Sequence, residues 1–150
     1  MNKYLLYLPI VSRILLGIVL IVAGAEKIVQ PAEFARAIGN YHIMPYGLEN
    51  IMAIILPWLE VIIGSALIFG FMVDGAAVLS LGMMTVFVVA ISSAILRGYN
   101  IECGCGLKSG EMVGMGKIIE DSIYILMSLL IIFRSEKKWE CFPNSTSKNI

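Results

Sequence analysis

The sequence is poor in charge and in cysteine, and both shortages narrow the classes of protein to consider. Only 15% of its 150 residues are charged, and 11 basic residues balance 11 acidic ones. A soluble domain carries about 25% charged residues. Without a basic excess, nucleic acid is not an expected partner. Three cysteines are too few for a scaffold held together by disulfides.

Apolar residues are in excess, at 59% of the chain against about 45–50% in soluble domains. They form four long runs, and a helix needs about 20 mostly apolar residues to cross a bilayer. The sequence therefore predicts an all-α protein, a four-helix transmembrane bundle in contact with membrane lipid. We expect residues 1–134 to form this membrane domain and residues 135–150 to be a polar, flexible tail. The four predicted helices are residues 8–29, 51–72, 76–96 and 115–133.

A short amphipathic helix is predicted in the first loop, residues 30–49. Pro31 suits the first position of a helix, where its missing N–H is not needed. Phe34, Ile38 and Tyr41 then recur at helical spacing. We expect this helix to lie in the membrane interface with its charged residues facing water.

Four spans place both termini on the same side of the membrane. The basic residues lean slightly toward that side, which favours cytoplasmic termini in a prokaryotic plasma membrane. In this orientation Cys103 and Cys105 face the oxidising side, where disulfides form, and Cys141 faces the reducing cytosol.

Cys103 and Cys105 are the strongest candidates for chemistry. They lie between the third and fourth apolar runs, with only Gly104 between them. Two thiols can share two electrons by closing and opening a disulfide, and a bridge over one residue departs from relaxed geometry, so it should be easily reduced. Arg97 and Lys108 flank the pair and would favour the thiolate. The pattern predicts a redox-active dithiol.

Two alternative interpretations of the cysteine pair stay open. The two residues could be incidental small side chains in a loop. They could also bind a metal with His42 as third ligand, but structural zinc normally has four ligands, and Cys141 is predicted across the membrane. No metal is therefore expected.

Glu60 is the lone acid within the second apolar run. About ten residues into a helix corresponds to about 15 Å of depth. A carboxylate at that depth is costly in lipid and marks a functional site by default. We expect Arg13, on the first helix, to be its partner. The pair could be structural, or Glu60 could handle protons.

Further charged residues lie near the ends of the predicted spans. Glu120 or Asp121 could face the bundle interior and act as a proton relay. The alternative is that Lys117 pairs with Asp121 at i, i+4 as an interfacial anchor, like the adjacent Glu26 and Lys27.

Three aromatic residues near the cysteine turn could wall a quinone pocket. The alternative is the aromatic belt that many membrane proteins carry at the interface. The three residues are Phe34, Tyr41 and Tyr99.

Six short patterns occur in order along about two-thirds of the chain. The patterns are Arg13-x-x-Leu16-Gly17, Ala23-Gly24-x-x-Lys27, Pro31-x-x-Phe34, Ile38-x-x-Tyr41, Pro57-x-x-Glu60-x-x-x-Gly64 and Arg97-Gly98-x-x-Ile101-x-Cys103-Gly104-Cys105. Together they resemble the MauE/DoxX family of redox-associated membrane proteins.

The resemblance implies a four-helix membrane protein that works with thiol–disulfide or quinone-linked partners. MauE-like proteins are associated with a thioredoxin-like partner and with maturation of methylamine dehydrogenase. DoxX-like proteins are linked to thiosulfate:quinone oxidoreduction and to redox-stress complexes, so the resemblance also implies other redox-complex subunits as partners.

These observations lead to one predicted function and two rivals. The prediction is a membrane thiol–disulfide oxidoreductase whose Cys103–Cys105 dithiol exchanges electrons between a thioredoxin-like partner and the quinone pool. The first rival is a non-catalytic subunit that anchors or assembles a larger redox complex. The second is a small proton-coupled transporter that uses Glu60 as its proton site.

Overall fold

Helices make up almost all of the part of the chain that the computed structural model describes, which is residues 3–43, 45–98 and 114–133. The all-α class is confirmed for these ranges. The five helices found there are α1, Lys3–Val29, α2, Pro31–Asn40, α3, Leu48–Phe69, α4, Val73–Leu96, and α5, Met115–Ile132.

The helix boundaries differ from the predicted ones mainly at N-terminal ends. The first helix begins at Lys3 rather than residue 8, so Pro9 lies inside it rather than in its opening turn. The second long helix begins at Leu48 and ends at Phe69, three residues before the predicted end. The predicted tail, residues 135–150, lies outside the described residues.

The turn between α3 and α4 was predicted at residues 73–75, and this is wrong. The chain turns at Gly70, whose φ of 74° ends α3 in the left-handed region that suits glycine. The N–H of Phe71 then donates to the carbonyl oxygen of Ala66 at 2.9 Å. Asp74 consequently falls in the first turn of α4, where a carboxylate is favoured by the helix dipole.

Three of the described helices are long and apolar enough to cross a membrane. They are the helical segments Tyr7–Val29, Leu48–Phe69 and Val73–Leu96. The fourth predicted span coincides with α5, but α5 is shorter, at 18 residues, and carries three charged residues in its first two turns. The predicted count of four spans is therefore not confirmed.

The bundle core joins four of the helices. Leu16 and Leu20 on α1 pack with Leu67 on α3, and the same cluster includes Val73 on α4 and Ile131 on α5. The last helix is thus a full member of the bundle, although its first turns are charged. Many large apolar side chains, such as Ile62 and Val78, point outward, as lipid-facing residues do.

The short second helix begins at Pro31, as predicted. Its Phe34 and Ala35 are buried, and they pack with Ala53 in the first half of α3. Arg36 lies on the opposite, exposed face. α2 therefore covers one side of α3 and closes one end of the bundle.

Candidate functional site

Glycines bring α1 and α3 into backbone contact along an antiparallel interface. A methyl group added at Gly17 would lie 2.8 Å from the carbonyl oxygen of Gly64. One added at Gly24 would lie 2.8 Å from the carbonyl oxygen of Pro57 and 3.2 Å from the Cβ atom of Glu60. Only glycine permits so close an approach. These contacts set the register of the two helices.

This register places Lys27 opposite Glu60. The Nζ atom of Lys27 lies 2.6 Å from the Oε1 atom of Glu60, and the two side chains are 5% and 1% exposed. The other carboxylate oxygen of Glu60, Oε2, is buried without a hydrogen-bond partner among the described residues. A buried charge is tolerated only when it is paired, so each of these groups depends on the other.

The prediction that Arg13 pairs with Glu60 is wrong. Arg13 is 11 residues before Gly24, which corresponds to about 16 Å along the helix. Because Gly17 already meets Gly64 and Ile68, Arg13 lies nearer the opposite end of α3. It is buried there, at 6% exposure, in a different part of the bundle from Glu60.

Two aromatic rings cover the Lys27 ammonium group. Its Nζ atom lies 5.1 Å from the ring centre of Phe34 on α2 and 5.4 Å from that of Phe87 on α4. Both distances are in the range of cation–π attraction, which is strongest where water is excluded. Lys27 therefore contacts side chains from three other helices.

The first turns of α5 add a second set of charged groups. Lys117 is buried, and its Nζ atom lies 2.6 Å from Oε2 of Glu120. The hydroxyl of Tyr124 donates to the other oxygen of Glu120 at 2.8 Å. Asp121 is 2% exposed, and its electrostatic neighbours are Lys117, Glu120 and Lys27. We refer to Lys27, Glu60, Lys117, Glu120 and Asp121 as the buried charge cluster, of which Glu120, at 34% exposure, is the partly exposed member.

These positions correct the interpretation of Lys27 and Lys117 as interfacial anchors. An anchor would extend its ammonium group to water, whereas both side chains are 5% exposed. Lys117 forms an ion pair with Glu120 at i, i+3, and Asp121 at i, i+4 is an electrostatic neighbour of the same ammonium group. The predicted proton-relay residues, Glu120 and Asp121, do lie together with Glu60 in one region.

Tyr41 lies between the buried charge cluster and the adjacent ends of two helices, the C-terminal end of α4 and the N-terminal end of α5. Burial and the nearby Asp121 carboxylate raise the pKa of its hydroxyl to about 12, because both disfavour a phenolate. Tyr41 therefore stays protonated at neutral pH. Its ring packs with Ile91 and Ala94 at the end of α4 and with Ile118 at the start of α5.

An apolar pocket of about 550 Å³ lies between α2, α3 and α4. Three of its lining residues also border the buried charge cluster, since Phe34 and Phe87 hold the Lys27 ammonium group and Tyr41 lies near Asp121. Such a volume suits a small organic ligand. The other lining residues are Ile38, Ile43, Met52, Leu56, Leu59, Leu79, Gly82, Met83, Thr85, Val86, Val89 and Ala90.

The cysteine turn lies outside the described residues. The predicted site residues that lie outside the described ranges are Tyr99, Cys103, Cys105 and Lys108, and Cys141 in the tail lies outside them as well. Arg97 is described; it is exposed and follows the last residue of α4. The segment 99–113 is attached to the ends of α4 and α5, the same ends that pack around Tyr41.

Lys27 is the principal site residue that sequence reasoning missed. Its position beside Glu26 and near the end of an apolar run is typical of a membrane-surface residue. The available signal was the pattern Ala23-Gly24-x-x-Lys27. A glycine three residues before Lys27 places both on one face of a helix, so a helix that contacts the glycine also meets the lysine.

Comparison with known proteins connects this arrangement to one family. The MauE family, described as Methylamine utilisation protein MauE, matches residues 5–134. The Methylamine utilization protein MauE of Paracoccus denitrificans is 30% identical over 100 residues, which are 64% of this chain and 54% of that protein. The MauE protein of Methylophilus methylotrophus is 29% identical over 123 residues, which are 80% of this chain and 65% of that protein.

The matched region spans about half to two-thirds of the length of these curated relatives. No solved structure matches the chain significantly. The likeness to DoxX proteins is not tested by these matches and stays a prediction. The family match extends over the apolar helices, both glycine contacts and the whole buried charge cluster. The chain is a membrane protein, and it belongs to the MauE family.

Proposed function

We propose that this protein is the membrane component of a thiol–disulfide redox system. Cys103 and Cys105 would exchange a disulfide with a thioredoxin-like protein, and the two electrons would pass to or from a quinone in the bilayer. The names of its relatives extend this proposal to methylamine utilisation. Other redox subunits would be further partners in such a system.

The observation that carries the proposal is the position of the buried charge cluster. It lies beside an apolar pocket of about 550 Å³ and near the ends of α4 and α5, to which the cysteine-bearing segment is attached. Electron transfer between a dithiol and a quinone needs three parts close together, which are the dithiol, an apolar site for the quinone ring, and groups that bind protons.

The proposed reaction balances without a further reactant. In the oxidising direction a partner thiolate attacks the Cys103–Cys105 disulfide and forms a mixed disulfide. The second thiol of the partner then releases its oxidised form and leaves both membrane cysteines reduced. The dithiol gives two electrons and two protons to the quinone, which becomes quinol, and the disulfide is restored. Arg97 and Lys108 would favour the thiolate form of the reduced Cys103 and Cys105.

The proposal includes a fourth span and an orientation. α5 packs with α1 and α4 in the bundle core, which supports a transmembrane position for its second half. Both termini would then be cytoplasmic in a prokaryotic plasma membrane, with the cysteine turn outside. Membrane-impermeant thiol labelling of reduced intact cells should modify Cys103 or Cys105 and spare Cys141. The reverse pattern would contradict the orientation.

Trapping of the mixed disulfide tests the exchange itself. The variants Cys103→Ser and Cys105→Ser should each leave one reactive thiol, and at least one should accumulate a disulfide-linked adduct with a thioredoxin-like protein. Cys141→Ser is the matched control and should behave like the wild type. In a redox titration read by alkylation and mass spectrometry, the pair should titrate above about −300 mV, the range below which structural disulfides fall.

The rival role is a non-catalytic subunit of a larger redox complex. It predicts that both thiols stay reduced under mild oxidant and that neither serine variant traps an adduct. That result would contradict the oxidoreductase proposal and favour the rival.

A further inference from the structure

The buried charge cluster divides into an outer pair and an inner group. The outer pair is Lys117 with Glu120, whose side chain is 34% exposed. The inner group is Lys27, Glu60 and Asp121, and none of these three residues is more than 6% exposed. The two charges of the outer pair balance each other. The net charge buried at this end of the bundle therefore depends on the inner group.

The inner group holds more acid than base. It contains two carboxyl groups and one ammonium group, so one negative charge is in excess when all three are ionised. Glu60 and Asp121 are only 1% and 2% exposed, so water does not screen this charge. An uncompensated charge is strongly disfavoured where water is excluded, and a buried acid instead binds a proton and becomes neutral.

Two carboxyl oxygens of the inner group have no hydrogen-bond partner among the described residues. They are Oε2 of Glu60 and Oδ2 of Asp121, and both are buried. The ammonium group of Lys27 donates to the other oxygen of Glu60 and is an electrostatic neighbour of Asp121. One ammonium group can neutralise only one of the two acids. A proton on the other acid would remove the excess charge and convert one of these acceptors into an O–H donor.

The neighbouring groups on α2 and α5 leave this excess in place. Lys117 is an electrostatic neighbour of Asp121, but its own ion pair is with Glu120. Tyr41, which follows α2, stays protonated at neutral pH and carries no charge. Neither element therefore offers a second unmatched base to the inner group.

The neighbouring groups on α1 and α4 do not compensate the charge either. From α4 the uncharged ring of Phe87 faces Lys27. The charged residue within α4 is Asp74, which is 13 residues before Phe87 and so about 20 Å away along the helix. Glu26, beside Lys27 on α1, is exposed and is another acid.

A metal ion does not suit the inner group. In the described part of the chain, no three His, Cys, Asp or Glu side chains come together as metal ligands. Hard cations such as Ca²⁺ take about six or more oxygen ligands. The ammonium group of Lys27 would also repel a metal cation beside it. A proton needs only one carboxyl oxygen.

We infer that Glu60 and Asp121 share one bound proton, with Lys27 as their common counter-ion, and that this chain thus has a buried proton-binding site. The proton resides on one acid while the other acid, as a carboxylate, balances the Lys27 ammonium group. Its release and uptake belong to the pair of acids rather than to either one. The site goes beyond the proposed function, since it needs neither the cysteine pair nor a quinone.

Infrared spectroscopy of the full chain at neutral pH, in a detergent without ester groups, tests this site. A protonated carboxylic acid has a carbonyl stretch that a carboxylate lacks, and the band shifts in deuterated water. The wild type should show one such acid per chain. Glu60→Gln and Asp121→Asn should each abolish the band, because either change removes the excess charge. Glu26→Gln, which removes an exposed carboxylate next to Lys27, is the matched control and should keep the band.

A double variant distinguishes a shared proton from one that belongs to a single residue. Lys27→Met with Glu60→Gln removes one base and one acid, so the excess charge remains at Asp121 and the band should return. The double variant keeps the approximate shape of the ion pair, so the protein should still fold. If Glu60→Gln alone does not fold, Asp121→Asn and the double variant still decide the result.

Three results would overturn the inference. They are the absence of the band in the wild type, its persistence in folded Glu60→Gln or Asp121→Asn, and its absence from the folded double variant. The variant Cys103→Ser with Cys105→Ser should keep the band. A failure to trap a thioredoxin-like adduct would therefore contradict the proposed function and leave the proton site intact. A trapped adduct without the infrared band would overturn the proton site alone.

Discussion

Two helix pairs in this bundle are held together in different ways. α1 and α3 touch at the backbone through Gly17, Gly24 and Gly64. α4 and α5 meet through longer side chains, and the hydroxyl of Ser128 lies 3.3 Å from that of Ser80 across their interface. The close backbone contact of the first pair places Lys27 against Glu60, so the two helices share an ion pair. The side-chain contact of the second pair joins two hydroxyl groups instead.

The glycines of α4 illustrate the difference. A methyl group added at Gly75 or Gly82 would meet nothing within 4 Å. Gly82 lines the apolar pocket. Its lack of a side chain therefore leaves space for a ligand and does not bring a neighbouring helix closer. Glycine thus permits a close helix contact between α1 and α3, whereas in α4 it leaves space in the wall of the pocket.

The largest expected effect follows from breaking the ion pair at the end of the α1–α3 contact. Lys27→Met leaves the Glu60 carboxylate buried without its partner and should lower the free energy of unfolding by about 3–5 kcal/mol. Adding Glu60→Gln should restore much of this loss, because no charge then remains unpaired. Denaturant titration of the full chain in micelles, followed by circular dichroism, measures both. A Lys27→Met protein as stable as the exposed-site control Arg36→Met would contradict the pairing.

A smaller loss is expected when the glycine contact itself is opened. Gly64→Ala places a methyl group 2.6 Å from the carbonyl oxygen of Gly17, so the helices must separate. Overpacking of this kind costs about 1–3 kcal/mol of unfolding free energy. The same titration should show Gly75→Ala close to the wild type. If both alanine variants were equally stable, the backbone contact would not restrain the pair.

The hydroxyl contact between α4 and α5 should matter less. Ser128→Ala removes the hydrogen bond to Ser80 and should cost about 0.6 kcal/mol, the average for such bonds between membrane helices. Ser122→Ala is the matched control, because Ser122 is exposed and its hydroxyl donates to the carbonyl of Ile118 in its own helix. A difference near zero between the two variants would show that side-chain packing alone holds this pair together.

The smallest effect on stability is expected at Gly82. Gly82→Ala should change the free energy of unfolding by about 0.5 kcal/mol or less, as at surface positions without special contacts. Gly82→Phe should fill part of the pocket and weaken quinone binding while the protein still folds. Unchanged quinone affinity in Gly82→Phe would place the ligand elsewhere.

Much of the helical layout was predictable because it depends on local composition. The apolar runs predicted the long helices to within a few residues, except at the start of α1, and Pro31 predicted the first residue of α2. The turn after α3 was missed, since Asp74 and Gly75 have turn-forming chemistry as well as Gly70. Asp74 instead lies in the first turn of α4. Whether it falls in a turn or in a helix depends on where the preceding helix ends.

The candidate site was predictable only in part. Glu60 could be identified as a buried acid because a lone carboxylate in an apolar run has few alternatives. Its partner could not, because the choice between Arg13 and Lys27 depends on the register of α1 against α3. The glycine contacts set that register, and they involve residues about 40 positions apart in sequence. The periodicity of apolar residues within one helix does not show which residues of two helices meet.

The Lys27–Glu60 pair also has a consequence for how the chain enters the membrane. Glu60 lies near the middle of α3, and a lone acid there raises the insertion free energy of a helix by about 2.5–3.5 kcal/mol. During synthesis the N-terminal helix emerges first. Lys27, near the end of α1, is therefore already at the membrane when α3 leaves the ribosome. Because α1 precedes α3 along the chain, Lys27 is in place before Glu60 is inserted. Glu60 can therefore pair with Lys27 as α3 enters the bilayer.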